Sequence, residues 1–351
     1  MRIIFYTSLT AFSLFISLQA QVPNGYYNTA ENKSDQALRS ALHNIIDDHI
    51  EFPYTSSSTD TWDILQESDA DPSNSNNVIL VYTRESVNGP QEYNGGSGWN
   101  REHVWAKSRG DFGIEIGEGT DLHNLRASNV QVNSTRTNYS FDNCTFNSCE
   151  LTYGNSYSSN ALVFEPRDED KGDVARIIFY MDVRYEGDSG ELDLEMTENI
   201  LSVTSKLPRH GVRSTLLEWH EMDPVDDFER NRNDVIYSYQ GNRNPFIDHP
   251  ELVDYIWGDQ QQAPWNSSLS NPTAQTNFKL FIPNPVQTSY IDIPPSINAN
   301  TIVLYNVQGK EISHFPVKAE RIKMPITSGI YFLRFVFHQS VVNKRIVVKA
   351  P

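Results

Sequence analysis

GWNREHVWAKSRG at residues 98–110 and DLHNLRASNVQVNSTRTNYSFDN at residues 121–143 hold the densest cluster of chemically capable side chains in this 351-residue chain. An unperturbed imidazole titrates near neutral pH, which makes His103 a candidate general base. Glu102 beside it and the amide of Asn133 offer the hard oxygen ligands that Mg²⁺ prefers, and that ion keeps several waters for a substrate to displace. A zinc site would require more His or Cys at ligand spacing, as in HExxH. Here Glu102-His103 runs on into VWAKS instead, and His123 is the histidine near enough to be a further ligand, with orienting or packing as its ordinary role. A lone Glu-His pair is common on protein surfaces, so the pair identifies nothing by itself. A base, oxygen ligands and nearby arginines are what hydrolysis of a phosphodiester needs.

Outward from this cluster the pattern is mixed. Leu38, Leu42, Ile45 and Ile46 recur at helical spacing, predicting an amphipathic helix over residues 34–50. VILVYTR at 78–84 is β-branched and bounded by turn residues, which predicts a strand. DVARIIFYMDVRY (173–185) and SVTSKLPRHGVRSTLLEWHE (202–221) read as helical around a Pro-Arg-His-Gly break, with His220 and Glu221 ending a structural helix. Residues 261–277, rich in Gln, Ser, Asn and Pro, form a linker. Beyond it, SYIDI, TIVLYNV, EISHFPV, GIYFLRFVF and VVNKRIVVK are short strand-like runs separated by turns, which predicts a small all-β sandwich over 278–351.

Residues 1–20 are apolar apart from Arg2 and end in Leu-Gln-Ala, the pattern of a signal peptide. The alternative, a membrane anchor, is disfavoured because the run is shorter than the ~20 residues a spanning helix needs. No later segment could span a bilayer, so stable membrane insertion is not expected. Export favours a small-loop disulfide between Cys144 and Cys149 over free thiols.

The motifs WNREHVWAKS, DLHNLRASNVQVNSTRTNYSF, FEPRDEDKGDVARIIFYMDVRY and LLEWHEMDPVDDFERNRNDVIYSYQGNRNPFIDHPE, in that order, resemble the bacterial endonuclease I family of secreted nucleases, within the ββα-metal (His-Me finger) superfamily. Ala106 departs from the family's usual proline. The resemblance implies an α+β chain: a helix-rich catalytic domain (21–260) with a ββα-metal core, followed by the sandwich. It implies His103 as the base that activates water, Glu102 and Asn133 as ligands to one divalent cation (Mg²⁺, with Ca²⁺ or Mn²⁺ as alternatives), and 5′-phosphate products. Arg136 would act on the phosphate as a catalytic residue, with Arg109, Arg126, Asn138 and Arg243 as substrate contacts. Asn124 and Ser128 would fix the turn into the metal helix, Asp121 would cap or orient, Asp248 and His249 would support the site, and Glu165, Asp168 and Glu169 would cap the helix that follows them. NPVQTSYIDI, VLYNVQGKEI, SGIYFLRF and KRIVVK likewise resemble the C-terminal sorting domain of Bacteroidetes type IX cargo, which implies the type IX secretion machinery as a partner and a secreted or surface location. An adhesive or carbohydrate-binding β-module is the alternative for that tail.

Charge complicates a nucleic-acid partner. The formal net charge is −17, of which residues 278–351 contribute nine basic against three acidic groups, leaving 19 basic and 42 acidic in residues 1–277. Proteins that bind nucleic acid by bulk charge are basic. Residues 100–139 carry five of each sign, so local neutrality plus a cation predicts weak, salt-sensitive, sequence-tolerant binding. A non-catalytic adhesin on a nuclease-like scaffold is the competing reading, against which the intact Glu102, His103 and Asn133 set speaks.

Overall fold

The computed structural model describes residues 22–267 and, beyond them, 286, 288–293, 297, 299–306, 310–315, 321–325, 327–336 and 341–349. The expected signal peptide, and residues 268–277 of the expected linker, lie outside the described residues. The chain divides into two compact units, the first ending at Ser267 and the second beginning at Ser268.

The first unit contains α1 (Asp35–Ile46), α2 (Thr61–Ser68), and strands β1 (Ala70–Asp71), β2 (Asn74–Ile79), β3 (Ser86–Asn88), β4 (Trp99–His103) and β5 (Leu125–Asn129). It continues through α3 (Val130–Arg136), β6 (Ser140–Phe141), β7 (Glu150–Thr152), β8 (Asn155–Ser158), β9 (Val163–Glu165), α4 (Lys171–Arg184), β10 (Glu195–Thr197) and β11 (Arg209–Val212). It closes with α5 (Arg213–Met222), α6 (Asp227–Gln240), α7 (Pro245–Asp248) and α8 (Leu252–Ile256). Helix α4 is buried along its whole length, with Arg176 ion-paired to Glu229 and Arg184 to Glu191. Burial of that kind is tolerated only because the charges are paired. Around α4 the apolar faces of α1, α5, α7 and α8 build one core. A second joins α2 and α6 to Trp99, Leu125 and Ala127 of the β4–β5 ribbon.

Four expectations are corrected. The strand predicted over 78–84 stops at Ile79: Tyr82 and Arg84 take left-handed φ of 72° and 56°, and the Arg84 amide closes a turn on Leu80. Non-glycine residues enter that region at a cost. Residues 202–221 are not helical throughout, because Arg209–Val212 form β11, parallel to β10, and the helix starts only at Arg213. Gly211 at the break has φ +72°, and a Cβ there would lie 2.5 Å from Leu216 Cδ1. The expected capping acids serve other ends, with Glu165 and Asp168 bound to Lys171 Nζ at 2.7 and 2.8 Å and Glu169 paired with Arg167. The expected linker starts later than residue 261, since Trp265 is fully buried in the first unit.

Among the described residues, the regular elements of the second unit are all strands. A four-stranded antiparallel sheet orders β14 (Glu311–Phe315), β13 (Thr301–Asn306), β16 (Gly329–Val336) and β17 (Val341–Val348), and β12 (Tyr290–Asp292) pairs with β15 (Arg321–Lys323). Ile291 and Ile322 from the short pair share one core with Leu304, Leu333 and Phe335 from the larger sheet.

Candidate active site

Strands β4 and β5 form an antiparallel ribbon in which Glu102 lies opposite Arg126 and His103 opposite Leu125. Helix α3 follows β5 at once, started by Asn129, whose side chain accepts from the amides of Gln131 and Val132. The Asn133 side chain leans back over the ribbon and donates to the Arg101 carbonyl at 3.4 Å, which places its amide beside the peptide leading into Glu102. Successive strand residues face opposite ways, and Glu102 and His103 accordingly take different partners.

Glu102 is buried, 3 % exposed, and burial raises its carboxyl above the ordinary range. Its Oε1 accepts from the Tyr82 hydroxyl at 2.9 Å and lies 3.2 Å from Arg136 Nε. Among the described residues Oε2 takes no partner. His103 is 6 % exposed, its ring stacked on Tyr54 with 15° between the planes. Its Nε2 lies 2.9 Å from the Gly119 carbonyl. A carbonyl only accepts, so Nε2 carries the proton, and the assigned tautomer leaves Nδ1 as a free lone pair. Burial first, then the nearby charges of Lys107, Arg101 and Arg136, push the imidazole down to about 3, so it stays neutral at physiological pH.

The support behind these groups is polar. Asn124 accepts from the Trp105 amide at 2.6 Å and donates to its carbonyl at 3.2 Å, which pins the chain leaving His103. Asp121 accepts from the Tyr180 hydroxyl at 2.8 Å and from the His123 amide at 2.9 Å. His123 is fully buried against Tyr180 and belongs to this packing. The 241–251 loop is densely bonded, with Asn244 capping α7 and His249 set between Tyr27 and Trp265.

The arginines expected to meet phosphate face inward. Arg136 is 1 % exposed and spends its guanidinium on Glu102, on the Thr137 and Val104 carbonyls and on His210 Nε2 at 2.8 Å. Arg109 is fully buried and donates to the carbonyls of Asn138, Ser202 and Ser205. Arg126 reaches Asp69 and Asp173, and Arg243 reaches Asp234 and Asp248. Asn138 braces the same loop, donating to Ser108 and the Val203 carbonyl. In this arrangement these residues build the site's frame and do not present donors to solvent. Cys144 and Cys149 are bonded, as export predicts.

Sequence reasoning missed Tyr82, Gly119 and His210. Tyr82 sits in a run that reads as ordinary strand, His210 in the Pro-Arg-His-Gly break that reads as a simple helix interruption, and Gly119 acts through its backbone.

Among the described residues, no group of three or more His, Cys, Asp and Glu side chains gathers as a metal site. The oxygens left over, Glu102 Oε2 and Asn133 Oδ1, suit an ion that is content with few protein ligands and several waters.

Comparison with known proteins identifies the family. The family profile described as Endonuclease I matches residues 34–251, and that of the Secretion system C-terminal sorting domain matches residues 280–349. An extracellular ribonuclease of Bacillus subtilis (strain 168) is 52% identical over 235 residues, covering 66% of this chain and 78% of the relative, and one of Bacillus amyloliquefaciens matches to the same extent. An endonuclease-1 of Buchnera aphidicola subsp. Baizongia pistaciae (strain Bp) is 29% identical over 132 residues, 36% of this chain and 46% of its own.

Proposed function

This chain belongs to the endonuclease I family, and we propose that it is an exported, divalent-cation-dependent endonuclease that cuts the phosphodiester backbone of RNA and DNA with water activated by His103, leaving 5′-phosphate ends. The observation that carries this reading is the fixed tautomer of His103: the Gly119 carbonyl holds Nε2–H, so Nδ1 is the base. Nδ1 takes a proton from water as its oxygen bonds to phosphorus. The bond to the 3′ oxygen breaks, and that oxygen leaves with the electron pair and is protonated from solvent. Glu102 Oε2 and Asn133 Oδ1 would hold the cation of a ββα-metal (His-Me finger) site. Such an ion, when bound, neutralises charge on the phosphate and the departing oxygen. Tyr82 and Arg136 keep the carboxylate aimed by occupying its other oxygen.

The ribonucleases of the two Bacillus species support RNA as a substrate, and the relative named endonuclease-1 supports cutting within a strand. The sorting domain supports delivery through the type IX secretion machinery.

The test is cleavage of plasmid and of RNA with Mg²⁺ or with chelator, alongside His103→Ala. Cleavage that needs Mg²⁺ and drops at least ~100-fold in the variant is expected, since a positioned base contributes about 10²–10⁴. Undiminished cleavage by His103→Ala would refute the base.

A further inference from the structure

Residues 22–267 contain eighteen lysines and arginines, and a polyanion has to meet some of them. Nine are buried. Seven others are ion-paired to carboxylates, among them Lys206 with Asp111 and Arg209 with Glu195. Among the described residues two remain that are exposed and outside any ion pair, Lys33 and Lys107. Lys33 lies in the turn before α1, where its carbonyl accepts from the Trp265 amide. Lys107 lies four residues beyond His103, in a loop pinned at one end by Asn124 through Val104 and Trp105 and at the other by the Gly113 amide on its own carbonyl. Its charge reaches the His103 ring.

We propose that Lys107 is the substrate-binding residue that seats the nucleic-acid backbone beside His103 by contacting a phosphate. The inference rests on the nuclease reading above. Every other cation of the ribbon and α3 is buried, so the ammonium of Lys107 is the charge that segment presents to solvent. An ammonium on a four-carbon stem is a point charge without a fixed fork, and a backbone contact carries no base information. Lys107 therefore supplies affinity without sequence preference, in a unit whose overall charge repels the substrate.

The test compares full-length Lys107→Gln, Lys107→Arg and the charge-matched control Lys33→Gln on single-stranded RNA and duplex DNA across a range of NaCl. Lys107→Gln is expected to raise KM about tenfold with kcat within about twofold, and to make the log–log salt dependence shallower by ~0.7 on single strands and ~0.9 on duplex, the loss of one phosphate contact. Lys107→Arg should restore both, and Lys33→Gln should change neither. A wild-type slope and KM in Lys107→Gln overturns the proposal, as does an equal change in Lys33→Gln, which would mean bulk charge alone. A fall in kcat at constant KM also overturns it, because the residue would then act through His103 and not on the substrate. Wild-type protein that cuts neither nucleic acid sinks the nuclease reading itself, and no variant is needed to see that.

Discussion

Two groups meet Oε1 of Glu102, the Tyr82 hydroxyl as a hydrogen-bond donor and the Arg136 guanidinium as an ion-pair partner at 3.2 Å, and between them they decide which oxygen the carboxylate can offer. Tyr82→Phe removes one donor and preserves the ring, which packs on Phe164. Partners of metal-ligating groups typically matter by about 10–100-fold in metal affinity or activity, so the variant should need ~10-fold or more Mg²⁺ for half-activation, with the KM for nucleic acid unmoved. A Mg²⁺ titration of initial rates measures this, and an unchanged midpoint would show that Arg136 alone holds the carboxylate. The same residue scale explains what the sequence misled on. Arg109, Arg126, Arg136 and Arg243 lie in motifs suited to a polyanion, and an arginine is written identically whether it meets phosphate or a buried carboxylate. Their partners, such as Asp69 and Asp173 for Arg126, are distant in the chain, and only the fold brings them together.

At the scale of elements, α3 is a seven-residue helix, too short to be stable by propensity, and it depends on its start and its docking. Asn129→Ala removes the side chain that accepts from two amides and should cost about 1 kcal/mol, read as a lower urea midpoint. Because Asn133 sits one turn on, half-activation by Mg²⁺ should also rise. Helices α1 and α4 were legible because each is an apolar run of helical spacing and length, whereas the ribbon was expected only through the family resemblance. The strand at 78–84 was overextended because VILVYTR carries β propensity to its end, while the backbone leaves the strand to bring Tyr82 over Glu102. The His210 strand was hidden for a different reason, since β10 and β11 pair only with each other and three or four residues show no period.

For the whole molecule, acid is the informative stress. Burial holds His123 and His220 down to about 3, whereas the unfolded chain protonates histidine near 6.5. The folded value is the lower one, so each contributes stability that is complete above about pH 6.5 and declines toward about pH 3, at about 1.4 kcal/mol per pH unit. Asp170, which burial raises to about 6, acts in the opposite sense as pH falls through 6. The measurement is therefore a comparison: His220→Gln should lose less stability than wild type between pH 7 and pH 5, by about 1–2 kcal/mol in urea unfolding. Parallel losses would mean that His220 is protonated in the native state.

Trp265 sets where the two units can be parted. Its indole is fully buried, its backbone bonds to Asn32 and Lys33 at 2.7 and 2.8 Å, and it packs on Tyr27 and His249. A chain ended after Ser267 should keep the stability of the first unit, while one ended at Gln260 should lose about 3–5 kcal/mol, the cost of emptying a tryptophan site. The aromatic plug thus acts as a ruler for proteolysis: any protease that releases the enzyme from its export tag has to cut on the far side of it, or it liberates a domain already coming undone.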